Sequence, residues 1–244
     1  MKKSRALFKD YFEAVYRHGN IFSPRQYEKA YESFKMNYSE VLPESREASI
    51  LDLGAGGGQF LYYLKKEGYS NYRGIDISPQ QVEFCKKNVT DRAMEADAFD
   101  FLKNKHEEYD AVVANDILEH IPKDRTMELL ALVRRSLKQR GVLIVRVPNM
   151  SNPFSLNSRY CDFTHETGFT QKSLYQVLWM SGFRDIVFPA RGRIKVRSLR
   201  NLFRKWLLAL LRKFIRFCYY VQDFTVPSHL EKNIVAVARK GQDK

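Results

Sequence analysis

Cysteine is scarce: Cys85, Cys161 and Cys218 are the only three in 244 residues, and no two form a Cys-x-x-Cys pair. That excludes a disulfide framework and a thiolate zinc site, and predicts a reducing, cytosolic setting. Long apolar runs are missing too. Nothing approaches the roughly 18 uncharged residues of a membrane-spanning helix. The amino terminus, Met1-Lys-Lys-Ser-Arg, reaches charge before any stretch suited to a signal peptide, so none is expected. Acidic residues are absent from one stretch in particular. Between Arg191 and Arg216 lie ten basic residues and no Asp or Glu, so only +3 of the net charge of +13 is left for the other 218 residues. The basicity is one local device on a nearly neutral fold, which argues against nucleic acid as a partner.

The rest of the chain has the makings of one ordinary core. Apolar residues are 44% of 244, enough for a single α/β unit with decorations. Short apolar runs alternate with helical patterns: strands over 49–53, 72–76, 92–95, 109–114, 141–149, 183–189 and 233–239, helices over 59–67, 79–88, 99–104 and from Thr170 to Ser181. Alternation of this kind predicts a parallel, doubly wound sheet. Ahead of it, residues 4–18 and 24–42 read as helices, the second opened by Ser23-Pro24. Tyr27, Tyr31, Phe34 and Tyr38 recur at spacings of three and four, an aromatic stripe that packs such a helix onto the core.

The chain turns on Ile50-Leu-Asp-Leu-Gly-Ala-Gly-Gly-Gly58, a strand that stops on a carboxylate and enters a glycine-dense turn. Backbone there approaches a ligand without a Cβ in the way, and the following helix presents unpaired N–H groups. A dinucleotide fingerprint needs a glycine at the sixth place from Gly54, where Gln59 stands, so a nicotinamide cofactor is disfavoured. Asp76 lies twenty residues beyond Gly56, at the next strand end, as ribose recognition requires. Asp52-x-Gly54-x-Gly56-x-Gly58 resembles motif I of the class I S-adenosylmethionine-dependent methyltransferases.

The resemblance implies a Rossmann-like seven-stranded, mostly parallel sheet with helices on both faces and an antiparallel last strand. It divides the chain into an N-terminal helical cap, 1–48, and a methyltransferase domain, 49–244, with a basic amphipathic insert at 191–232. In the family such a cap often serves as a lid. The implied cofactor is S-adenosylmethionine, leaving as S-adenosylhomocysteine, held by Asp52, Gly54, Ala55, Gly56, Asp76, Ile77, Asp97, Ala98 and Asn115. Asp76 would take the ribose hydroxyls, and Asp97 the adenine amino group.

Two further blocks bear on the acceptor. Asp162-x-Thr164-His165-Glu166, Phe169-Thr170 and Ser173-Leu174 are similar to bacterial methyltransferases of glycan pathways such as capsule and O-antigen synthesis. A sugar hydroxyl needs its proton removed, and His165, flanked by Asp162 and Glu166, is the first candidate base, with His120 second. Asp116, Glu119 and His120 together imitate metal ligands, but no second cluster in the sequence completes them, and no metal is expected. In the insert, Leu199, Leu202, Phe203, Trp206, Leu207, Leu210, Phe214 and Phe217 share one helical face, with Arg204, Lys205, Arg212 and Arg216 on its flanks and back. Such a helix fits an anionic membrane surface, through 191–222, or a partner's groove; burying it would strand its charges, which would need acids nearby that the insert is expected not to supply. The expected function is O-methylation of a glycan or lipid-linked saccharide at the cytoplasmic membrane face. A lipid quinone or another small molecule as acceptor, and a non-catalytic donor-binding scaffold, stand as alternatives.

Overall fold

A computed structural model describes residues 23–189 and 198–241. The expected helix over 4–18 lies outside the described residues, as does the start of the insert, 191–197. The seven strands are β1 (Ile50–Leu53), β2 (Tyr72–Asp76), β3 (Ala93–Glu95), β4 (Tyr109–Asn115), β5 (Leu137–Pro148), β6 (Phe183–Val187) and β7 (Asn233–Lys240). They form one sheet in the order β3-β2-β1-β4-β5-β7-β6. β7 runs antiparallel to both β5 and β6, and the pairings among the first five strands are parallel. This is the Rossmann-like, seven-stranded arrangement that the resemblance implies. β1 is wholly buried, and β4 and residues 141–148 of β5 are nearly so, because helices cover both faces of the parallel part.

The helices are α1 (Pro24–Tyr38), α2 (Gln59–Lys66), α3 (Pro79–Asn88), α4 (Ala98–Leu102), α5 (Thr126–Ser136), α6 (Leu156–Tyr160), α7 (Gln171–Met180) and α8 (Leu199–Val221). Proline follows the N-cap serine in both α1 and α3, and the Ser78 hydroxyl accepts from the Gln81 N–H. Two core clusters lie on opposite faces of the sheet. Tyr27, Phe34 and Tyr38 of α1 belong to the same cluster as Ile50, Phe60 and Tyr63, with Phe34 edge-on to Phe60 at 5.1 Å between ring centroids. The aromatic stripe therefore packs the cap helix onto the domain.

Several boundaries differ from the sequence pattern. α1 stops at Tyr38 instead of reaching residue 42. The sequence pattern predicts no helix between 122 and 141, yet α5 fills 126–136, burying Leu129, Leu130 and Val133 on one side. β5 starts at Leu137, directly after α5, four residues before Gly141. Its first residue pairs with Tyr109 and the register then shifts, an irregularity that a hydrophobicity pattern cannot show.

Candidate active site

Parallel open sheets bind ligands at the carboxyl ends of their strands, where the strand order reverses. Here the reversal falls between β1 and β4, and a cavity of about 490 Å³ opens there. A more open depression of about 810 Å³ lies at the opposite, amino-terminal ends, beside Ser49, Tyr72 and Tyr109, away from the glycine turn.

The turn builds one wall. The N–H groups of Gly54 and Ala55 both donate to Ile75 O at 2.9 Å, locking the loop to the end of β2. Asp76 adds a second lock: its Oδ2 accepts from Gly56 N and its Oδ1 from Ser78 N, each at 2.8 Å. Gly58 caps α2 at φ +83°, the left-handed region, where a side chain is strained. Asp97 performs a local task as well, its Oδ1 capping α4 by accepting from Phe99 N and Asp100 N.

Asp52, Gly54, Ala55, Gly56, Asp76, Ile77, Asp97, Ala98 and Asn115 all line this one cavity. His120 lines it too; His165 is not among the lining residues. His165 stands behind His120, the rings edge-to-face with centroids 4.6 Å apart. What brings it there is backbone: Glu166 N and Thr167 N donate to Glu119 O at 2.7 and 3.1 Å, folding the 162–167 segment against the end of β4.

Burial sets the electrostatics. Asp52 is 2% exposed, and burial, then the neighbouring Asp76, push its carboxyl well above the usual range. Burial raises Asp76 as well, against the pull of the backbone N–H groups it accepts from. His120 is lowered to about 4 by burial and then by His165. Two buried polar atoms on the wall lack a hydrogen-bond partner, Asp52 Oδ1 and Asn115 Nδ2. An acceptor and a donor left open on one cavity fit a ligand that carries both amino and carboxylate groups, as S-adenosylmethionine does.

A further lining residue, Arg146, belongs to no motif. Arg146 projects from β5 and forms a two-pronged pair with Asp116, its Nε donating to Oδ1 at 3.1 Å. A lone charge within Val-Leu-Ile-Val-Arg-Val was the signal for it. Tyr38 donates to Asn115 Oδ1 at 2.5 Å across 77 residues, and Tyr27 donates to the carbonyl of Gly57. No local signal marks those bonds.

A family model described as a methyltransferase domain matches residues 25–187. The chain belongs to the class I S-adenosylmethionine-dependent methyltransferases. The methyl donor of that family is S-adenosylmethionine and its spent form S-adenosylhomocysteine. Among curated relatives, the ribosomal protein L11 methyltransferase of Dictyoglomus turgidum is 37% identical over 98 residues, covering 39% of this chain and 31% of that one. The chain thus spans about a third of that relative's length. Among solved structures, a SAM-dependent methyltransferase from Archaeoglobus fulgidus has a TM-score of 0.66 at 22% identity, over 88% of this chain and 94% of that one. A phosphoethanolamine N-methyltransferase 2 of Haemonchus contortus, solved with S-adenosylhomocysteine, has a TM-score of 0.62 at 18% identity, over 96% and 60%. At such identities these structures speak for the fold.

The insert is helical where expected. Along α8, Leu199 is 85% exposed, Phe203 60%, Trp206 57% and Phe214 62%, and Ile215 is the one residue of α8 that is buried. One expectation needs correcting. The insert does supply acids beyond Arg216, and Glu231 Oε1 pairs with Arg212 Nη1 at 3.4 Å. Together with Tyr219, which donates to Ser151 O at 2.9 Å, this moors the carboxyl-terminal half of α8. No helix among the described residues is long and apolar enough to cross a membrane.

Proposed function

We propose that this methyltransferase transfers the methyl group to a hydroxyl of a glycan or lipid-linked saccharide while resting on an anionic membrane surface. Bound S-adenosylmethionine supplies an electrophilic methyl group on a sulfonium. In this reading Asp76 meets the ribose, Asp97 the adenine, and the open atoms of Asp52 and Asn115 the methionine end. Gly54, Ala55 and Gly56 let backbone close on the ligand, while Ile77 and Ala98 pack beside it. The acceptor enters on the side of His120, Thr164 and Glu166, a polar patch suited to hydroxyl groups. His120, at the wall, is the histidine placed to activate that hydroxyl, and His165 acts through it.

The observation that carries the membrane half is the exposed aromatic face of α8. At about 1.5 Å per residue its 23 residues run about 35 Å along a surface. Arg200, Arg204, Lys205 and Lys213 form no ion pair among the described residues, and basic residues near an anionic surface contribute about 1 kcal/mol each. Phe154, Leu156, Tyr160 and Phe163, 63 to 92% exposed, offer a second apolar edge on the segment that leads to His165.

Two experiments test the proposal. Incubation with label-bearing donor and a panel of lipid-linked saccharides, free sugars, quinones and nucleic acids should label the saccharides. Label on quinone alone would move the acceptor to a lipid head group, and no label on any of them would favour a scaffold. Sedimentation with anionic vesicles at low salt should pellet the protein, and Trp206→Glu should release it. Wild-type protein left in the supernatant refutes the membrane half.

A further inference from the structure

The geometry points to a binding site for one divalent transition-metal ion formed by Glu119, His120 and His165 beside the donor cavity. The ligating atoms these three residues offer lie within 4.8 Å of one another. Sequence alone showed two adjacent residues; the third arrives from 45 positions away, carried by the backbone bonds from Glu166 and Thr167 to Glu119 O.

A second observation is independent of the clustering. Glu119 is 2% exposed and its Oε2 has no hydrogen-bond partner. A buried carboxylate oxygen left so is costly unless something binds it.

The imidazoles are also set up to ligate. Thr164 Oγ1 donates to Asp162 Oδ1 at 2.7 Å, so toward His120 Nδ1, at 2.8 Å, it acts as acceptor. His120 therefore carries its proton on Nδ1. His165 Nδ1 faces Ser158 O at 2.8 Å, and a carbonyl only accepts, so the proton is on Nδ1 there too. In both rings Nε2 keeps its lone pair, and each is oriented from behind by a hydroxyl or carbonyl, the support that metal-binding histidines use.

Two imidazoles and one carboxylate suit zinc or a late first-row ion better than magnesium or calcium, which prefer oxygen alone. Ligand bonds of about 2.0–2.2 Å require the three atoms to draw together by about an ångström, a matter of side-chain rotation. Three protein ligands leave positions open, and His120 turns the site toward the cavity. With an ion bound, His120 would serve as its ligand in place of a base, and the ion would polarise the acceptor oxygen. That use rests on the methyl-transfer reading, whereas the site rests on geometry alone.

The test takes the full chain, stripped with chelator, and measures binding of Co2+ and Zn2+ by calorimetry, with Co2+ also followed by its visible absorption. S-adenosylhomocysteine binding is measured on the same samples. One equivalent should bind, and Glu119→Gln and His165→Ala should each weaken it by about 100-fold while binding of S-adenosylhomocysteine persists. Glu119→Gln keeps the side-chain shape, so it reports even if His165→Ala fails to fold. Protein that binds S-adenosylhomocysteine but no metal, or Glu119→Gln with wild-type metal affinity, overturns the site. Metal binding without S-adenosylhomocysteine binding supports the metal site and removes the donor-site assignment instead.

Discussion

Replacing Gly58 with alanine tests whether the donor loop is held by close packing as well as by glycine's backbone freedom. A Cβ on Gly58 would sit 2.3 Å from Cys85 Sγ and 3.4 Å from Cys85 Cβ, with φ at +83°. The left-handed backbone costs about 1–2 kcal/mol. Forcing Cys85, fully buried, to move adds about 1–3 kcal/mol. The total, about 2–5 kcal/mol, lowers the midpoint of thermal unfolding by about 4–20 °C for a domain of this size. Gly68 has the same φ of +83° with nothing within 4 Å of its Cβ position, so Gly68→Ala isolates the backbone part. The steric part should return as a coupling of about 1–3 kcal/mol in a double-mutant cycle with Cys85→Ala. Urea unfolding followed by far-ultraviolet circular dichroism measures the wild type and the four variants. Equal losses for the two glycines, or a coupling under about 0.5 kcal/mol, would refute the packing argument.

Asp52→Asn should stabilise the ligand-free protein at neutral pH while weakening S-adenosylhomocysteine binding. Asp52's carboxyl is raised in the folded state by burial and by Asp76, so its protonation favours folding. Its contribution is complete below the unfolded value of about 4 and is lost as pH rises through the folded value, so the mutant's advantage must shrink toward pH ~4. An advantage as large at pH ~4 as at neutrality contradicts that reading. Asp76→Ala removes the acceptor shared by Gly56 N and Ser78 N and should cut S-adenosylhomocysteine affinity about tenfold or more, read by calorimetry. Tyr38→Phe takes away the hydroxyl that orients Asn115 and should cost about 1 kcal/mol of stability with a measurable loss of S-adenosylhomocysteine affinity. Wild-type affinity in that variant would show that Asn115 needs no such support.

Much of the donor side was legible in the chain because it is written locally. A strand ending on Asp52, a run of glycines and an acid twenty residues on are consequences of strand length and turn chemistry. Those residues meet at one cavity because consecutive parallel strands deliver their carboxyl ends to one edge. The acceptor side was not legible in the same way. His165 looked like a base facing a substrate, but it stands behind His120, since the segment's path is fixed by Glu166 N and Thr167 N reaching Glu119 O.

The sequence by itself determined the sheet, the glycine turn and the amphipathic helix, because hydrophobic period and backbone freedom act over a few neighbouring residues. Only the tertiary structure decided which distant groups meet: Tyr38 with Asn115, Arg146 with Asp116, and His165 with Glu119 and His120. Those meetings depend on the return path of loops, set by single backbone hydrogen bonds between residues tens of positions apart, and no local pattern encodes them.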